Sequence, residues 1–182
     1  MSVAGPDIKN MRFFLRSETR TDHEQTDAAF SQFDFGSANS YSNFLKSHAR
    51  ALSVLLPLIA EFDVNQMLVE NLTNNLRQDL ASLGFCGLYP SGFEVKSAHP
   101  AGVAYVLAGS HLGSKVLLQR IEAGCNPVCQ SAVAYLSNTE LVQLWHRLLN
   151  DFDAGRWSDE RDEVLDGART AFRVFRTAGQ EL

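Results

Sequence analysis

The stretch VNQMLVENLTNNLRQDLASLG, residues 64–84, decides the fold. Leu68, Leu72, Leu76 and Leu80 recur every fourth residue, which puts them on one face of an α-helix. Gly84 follows the last apolar position and predicts the stop. The same period runs outward from here. Upstream, Tyr41, Phe44, Leu45, Leu52 and Leu55 predict a helix from about Ser40 to Phe62. A first helix is predicted from about Asn10 to Phe33, ended by the turn residues of FDFGSANS. Downstream, FCGLYPSGFEVKSAHP (85–100) is irregular, and the region from about Pro100 to Gly124 is helical but interrupted by glycine. A short segment around VCQSAVAYLS leads to NTELVQLWHRLLNDF (138–152), a helix capped at Asn138 or Thr139. The last helix, SDERDEVLDGARTAFRVFRTA (158–178), has an incomplete capping box, with Arg161 at its fourth position, but early acids that suit a helix N-terminus. No strict alternation is long enough to predict a sheet. The expectation is an all-α single domain of about seven or eight helices over residues 11–182, after an N-terminal tail at 1–10.

Length and composition agree with one globular domain. The chain has 182 residues, 45% hydrophobic and 20% charged, enough to bury a core without staples. The apolar run ALSVLLPLIAEF (51–62) is shorter than the ~20 residues that span a bilayer and carries Pro57, so it reads as a buried helix. MSVAGPDIKN lacks the basic and apolar regions of a secretion signal. Three cysteines, Cys86, Cys125 and Cys129, then predict reduced thiols and a cytoplasmic protein. CNPVC has no second pair to complete a metal site, so a loop that happens to hold two cysteines is the plainer reading. A net charge of −5 argues against nucleic acid as a partner.

Two stripes bear on chemistry. In LRSETRTDHEQTDAAF (15–30), Arg16, His23 and Phe30 stand seven residues apart and fall on one line of the helix. Asp27, four residues after His23, is placed to take a ring N–H and fix the tautomer of a histidine that ligates a metal. Arg16 sits about 10 Å along the axis from His23, a span that suits a large flat cofactor with an acidic edge. A solvated face fits the spacing equally. In GVAYVLAGSHLGSKVLL (102–118), Gly102, Gly109 and Gly113 share a face with Tyr105. Each interior glycine costs about 1 kcal/mol against alanine, so something approaches that backbone closely or the helix bends. Close helix packing and a ligand both fit. His111 points away from the glycine face and reads as a packing or solvent histidine.

Taken together, the two stripes resemble the heme oxygenase family, in its short bacterial, biliverdin-producing form. LRSETRTDHEQTDAAF resembles the family's proximal helix, with His23 at the iron-ligating position. YVLAGSHLGS (105–114) resembles its distal helix, and LVQLWHRLLNDF and DGARTAFRVF its last two. The resemblance covers the chain from about Met11. It implies heme as both cofactor and substrate, held by His23, with Asp27 as the acceptor behind it. Arg16 matches a propionate partner, Tyr105 and Phe172 match positions lining the heme, and His146, with Arg147 beside it, matches a propionate-binding cation. Gly109 and Gly113 would let the distal backbone come close to the reacting centre. Ser110 replaces the aspartate that many members use to order water for proton delivery, and Ser114 replaces a second paired glycine. The implied reaction takes heme, O2 and electrons to biliverdin, carbon monoxide and ferrous iron. The electrons come from an external donor such as a ferredoxin or reductase, since no GxGxxG fingerprint follows a strand.

Three other readings stand beside it. One is a non-catalytic heme carrier or sensor. Another is a helical enzyme using Cys86 as nucleophile. The third is an interaction module presenting Arg169, Arg173 and Arg176, a stripe that could equally dock an acidic electron donor or be a solvated face.

Overall fold

The computed structural model describes residues 11–60, 66–87, 92–124 and 126–181. The tail at 1–10 and Cys125 of CNPVC lie outside the described residues. The described chain is all-helical: α1 (Met11–Glu18), α2 (Arg20–Phe30), α3 (Ala38–Ile59), α4 (Gln66–Ser82), α5 (Pro100–His111), α6 (Ser114–Ala123), α7 (Pro127–Gln130), α8 (Glu140–Asp153) and α9 (Arg161–Gln180), with a 3-10 turn at Ser158–Glu160.

The predicted first helix is bent rather than continuous. Thr19, buried at the bend, turns its hydroxyl back onto the Leu15 carbonyl at 2.6 Å, a contact that bends helices. The ladder continues through it, from Thr19 N to Leu15 O and from His23 N to Thr19 O, each 2.9 Å. Counted as one bent helix, α1–α2 brings the described total to the upper end of the expected seven or eight.

Caps explain the other boundaries. Gly84, at φ +83°, ends α4 where the sequence placed the stop, and Phe85 N returns to Leu80 O at 2.9 Å. Thr139 holds the cap position of α8 without a side-chain bond; Asn138 Oδ1 does the capping, accepting from Glu140 N at 2.9 Å. His99 caps α5, its Nδ1 accepting from Ala101 N, with Pro100 in the first turn.

The central element is α5. It is apolar on every side and buried from Ala101 to Ala108, as a helix without a polar face must be. Residues 100–123 are long and apolar enough by length and composition to cross a membrane, contrary to the sequence reading; 56% of that window is buried inside the molecule, and the helix breaks at Leu112–Gly113. Its main neighbour is α9, and two glycines let them meet. A side chain on Gly102 would strike the Val164 carbonyl and lie 2.6 Å from Ala168 N, while one on Gly167 would strike the backbone of His99. Around this crossing, α8 covers another side of α5, and α3 packs on both α5 and α9. A cluster of rings from Phe30, Phe33, Phe35, Tyr41, Phe44 and Phe175 joins the end of α2 to α3 and α9. Asp79 pins the segment before α8, accepting from Ala134 N and Tyr135 N at 2.9 and 2.8 Å.

Candidate functional site

The residues singled out from sequence lie on the bent helix, α5, α8 and α9, and most fall into two groups. The first lies on α2 against α9. His23 Nδ1 is 3.0 Å from Asp27 Oδ2, and both side chains are largely exposed, at 59% and 69%. Beneath the imidazole, the buried Phe172 ring stands edge-on at 5.7 Å. With Nδ1–H donating to the carboxylate, Nε2 carries the free lone pair, the state a metal ligand requires. The aligned spacing that predicted this pair in sequence therefore brings it together in space.

The second group lies where α1, α5 and α8 meet. Gly109 faces Trp145, and Tyr105, one turn earlier on α5, has its ring tilted against the same indole at 5.5 Å. The Arg12 guanidinium lies over that indole at 5.7 Å. Burial pushes the Tyr105 hydroxyl pKa up, and the positive charges of Arg12 and Arg16 oppose the shift. That opposition puts the exposed Arg16 within electrostatic reach of Tyr105. His146 and Arg147 follow Trp145 on α8, and both are exposed. The bent helix thus contributes to both groups, with Arg12 and Arg16 before the bend and His23 and Asp27 after it.

The remaining candidates separate. Ser110 is exposed, and its hydroxyl donates to Leu107 O at 2.9 Å within its own helix. Gly113 stands at the break between α5 and α6, with φ −76°, and a side chain there would meet only Ser110 O at 3.5 Å. Close packing accounts for Gly102, whereas Gly113 stands at the helix break in a conformation any residue adopts. His111 is a packing histidine, 6% exposed, held by Asn138 O at 2.6 Å and Ser114 Oγ at 3.2 Å. Cys86 is exposed after α4, and Cys129 is buried in α7. The arginine stripe lies on the solvated face of α9, Arg169 and Arg173 being exposed: Arg169 reaches Glu18 at 3.8 Å and Asp22 at 4.0 Å, and Arg176 donates to Gln25 at 2.6 Å.

Sequence reasoning missed Arg12 and Trp145. Trp145 sits among Leu141, Leu144, Leu148 and Phe152 on the apolar face of α8, where nothing in the pattern separates it from core. A cavity of about 310 Å³ between α3 and α4, lined by Leu52, Leu56, Val69, Leu76, Leu80 and Arg77 among others, includes none of the candidate residues.

Among the described residues, no group of three or more His, Cys, Asp and Glu is arranged to hold a bare metal ion. A porphyrin brings four ligands of its own and asks the protein for one or two, so a single oriented imidazole fits it. No protein-family model matches the chain, and no curated protein matches it.

Proposed function

We propose that this protein is a heme oxygenase, converting heme to biliverdin, carbon monoxide and ferrous iron with O2 and electrons from an external donor. The observation that carries the reading is the His23–Asp27 pair, 3.0 Å apart, on an exposed helix face backed by Phe172. The first and last helical motifs of the resemblance thus meet in one place. Heme, when bound, supplies the iron that activates O2 and is itself the molecule cleaved.

The protein's part is to bind and orient. His23 Nε2 would be the atom that holds the iron, with Asp27 fixing the tautomer through Nδ1. Arg16, which is exposed, would be the cation for a propionate, with the exposed His146 as a second polar partner. Phe172 would back the imidazole of His23, and Tyr105, packed on Trp145, would shape the α5 side of the site. Ser110 is the nearest hydroxyl in the motif to replace the family's aspartate. Its proton is engaged with Leu107 O, so it presents a lone pair that can hold a water rather than a charge that can donate.

That engagement favours the second reading, a heme carrier or sensor without turnover. Both predict binding, so the experiment must read product. Hemin is titrated into the purified protein and followed across the visible range. Ascorbate or reduced ferredoxin is then added in air, with His23→Ala run in parallel. A one-to-one Soret band that converts to a bilin spectrum with carbon monoxide release, and that weakens or fails to turn over in His23→Ala, is expected. A band that survives reductant unchanged selects the carrier. A wild type with no saturable band removes both heme readings and leaves Cys86 as the next candidate.

A further inference from the structure

The resemblance attributes the bareness of Gly109 to a ligand, but the direction a side chain would take there points at protein. A methyl on Gly109 would lie 3.3 Å from Trp145 Cζ3, 3.8 Å from Cη2 and 3.9 Å from Cε3. The six-membered ring of the indole is therefore seated on the glycine. Trp145 is only 7% exposed, so this seat is part of the packed interior. Its ring is held from two further directions, by Tyr105 at 5.5 Å and by the Arg12 guanidinium at 5.7 Å. One stiff side chain on α8 thus touches both α1, which leads through the bend into the helix of His23, and the glycine helix.

We infer that Trp145 is a positioning residue of this site: its indole takes the space Gly109 leaves, and through Arg12 and Tyr105 it sets how α1 and α5 stand to each other beside the proposed heme site. The inference rests on the heme reading of the preceding section. Its physical content is a fit between one absent side chain and one large one. Adding a methyl at Gly109 forces the indole to give by a few tenths of an ångström. Tyr105 and Arg12 limit where it can go, so α5 shifts instead. A phenyl ring at 145 lacks the outer carbons nearest Gly109 and leaves room for that methyl. The two changes therefore compensate, as volume-conserving swaps in a packed site do. If Gly109 instead served ligand approach directly, a smaller ring at 145 would restore nothing.

The test is a double-mutant cycle of Gly109→Ala and Trp145→Phe, read in three ways: hemin affinity, the mixture of biliverdin isomers formed with ascorbate, and the melting temperature without ligand. Gly109→Ala is expected to weaken hemin binding about tenfold, the low end of the cost of overpacking. Trp145→Phe is expected to keep the Soret band but to broaden the isomer mixture, because the void loosens the seat of the macrocycle. The double variant is expected to return to within about threefold of wild-type affinity and to the narrower isomer mixture. A double variant that binds as weakly as the product of the two single effects overturns the inference. So does recovery of melting temperature without recovery of affinity and isomer pattern, which would make the pair purely structural. A wild type without a His23-dependent hemin band overturns the functional reading, and the positioning role with it.

Discussion

His48 is enclosed by the rings of Phe30, Phe44, Tyr135 and Phe175, at centroid distances between 4.2 and 5.6 Å. Its Nδ1 lies 3.0 Å from Phe44 O. Burial lowers its pKa from 6.5 to about 4; the Phe44 carbonyl opposes that shift, and the charge of His111 adds to it. His111 is itself lowered by burial. Both rings are therefore neutral in the folded protein at neutral pH and gain protons more readily once unfolded. The His48 contribution is complete above about 6.5 and is lost as the pH falls from there toward 4, amounting to about 3 kcal/mol at most. His48→Gln removes this titration while keeping a polar group beside the Phe44 carbonyl. Melting temperatures measured from pH 7 to pH 5 should fall less steeply in the variant than in wild type. Equal falls would show that other groups carry the acid sensitivity. The sequence gives little warning of this residue, since it stands in the polar part of SHAR. The rings that dry it come from α2, α3, α9 and the segment before α8. His23 is the opposite case: its carboxylate is four residues away on the same helix, so the pair was legible from local spacing alone. Trp145 was illegible because its meaning lies in a glycine 36 residues earlier.

At the scale of elements, the glycines of α5 divide by what faces them. Gly102 meets the backbone of α9, at Val164 O and Ala168 N, and backbone cannot step aside as a side-chain tip can. Alanine there gains up to about 1 kcal/mol of helix propensity but separates the two central helices. Overpacking of this kind costs about 1–3 kcal/mol or more, so Gly102→Ala should lower the denaturation midpoint clearly. Gly113 has an ordinary negative φ and open space around it. Gly113→Ala should be neutral or stabilising by about 0.4–1 kcal/mol. The pair is checked by chemical denaturation of the two variants side by side, and equal destabilisation would refute the division. The sequence showed the stripe of small residues and two uses open to it, packing and bending. It did not show which glycine the packing needs, because the partner backbone of α9 lies some sixty residues downstream. Helix existence, by contrast, was legible nearly throughout: Leu68 to Leu80, the Gly84 stop and the α8 cap depend on neighbours within one or two turns.

Across the whole molecule, α2 differs from every helix of the core. None of its residues is buried, although it carries the proposed iron ligand. It lies on α9 through the His23–Phe172 and Phe30–Phe175 ring contacts, and its other ties are polar. Thr26 reaches Phe172 O at 3.4 Å and Arg176 reaches Gln25 at 2.6 Å, while Gln32, just past the end of α2, reaches Gly179 O at 2.9 Å. Arg169 adds one exposed ion pair to it, with Asp22 at 4.0 Å, and a second, at 3.8 Å, to Glu18 at the end of α1. Exposed pairs of this kind contribute little each and are screened by salt. Only Phe30, at its end, enters the ring cluster. Helices held this way open locally at a fraction of the global unfolding energy. A ligand that binds His23 and the face of α5 together would tie α2 to the core and shift that equilibrium. Amides of residues 23–30 should thus exchange with solvent far faster than those of α5 in the ligand-free protein. Hemin should slow them selectively, and Arg169→Ala combined with Arg176→Ala should speed them in the ligand-free state while leaving α5 protection unchanged. Hydrogen exchange followed by mass spectrometry reads all three. Protection of α2 equal to that of α5 before hemin is added would mean that the helix is already locked, and that the proposed ligand finds its proximal face preformed rather than completing it.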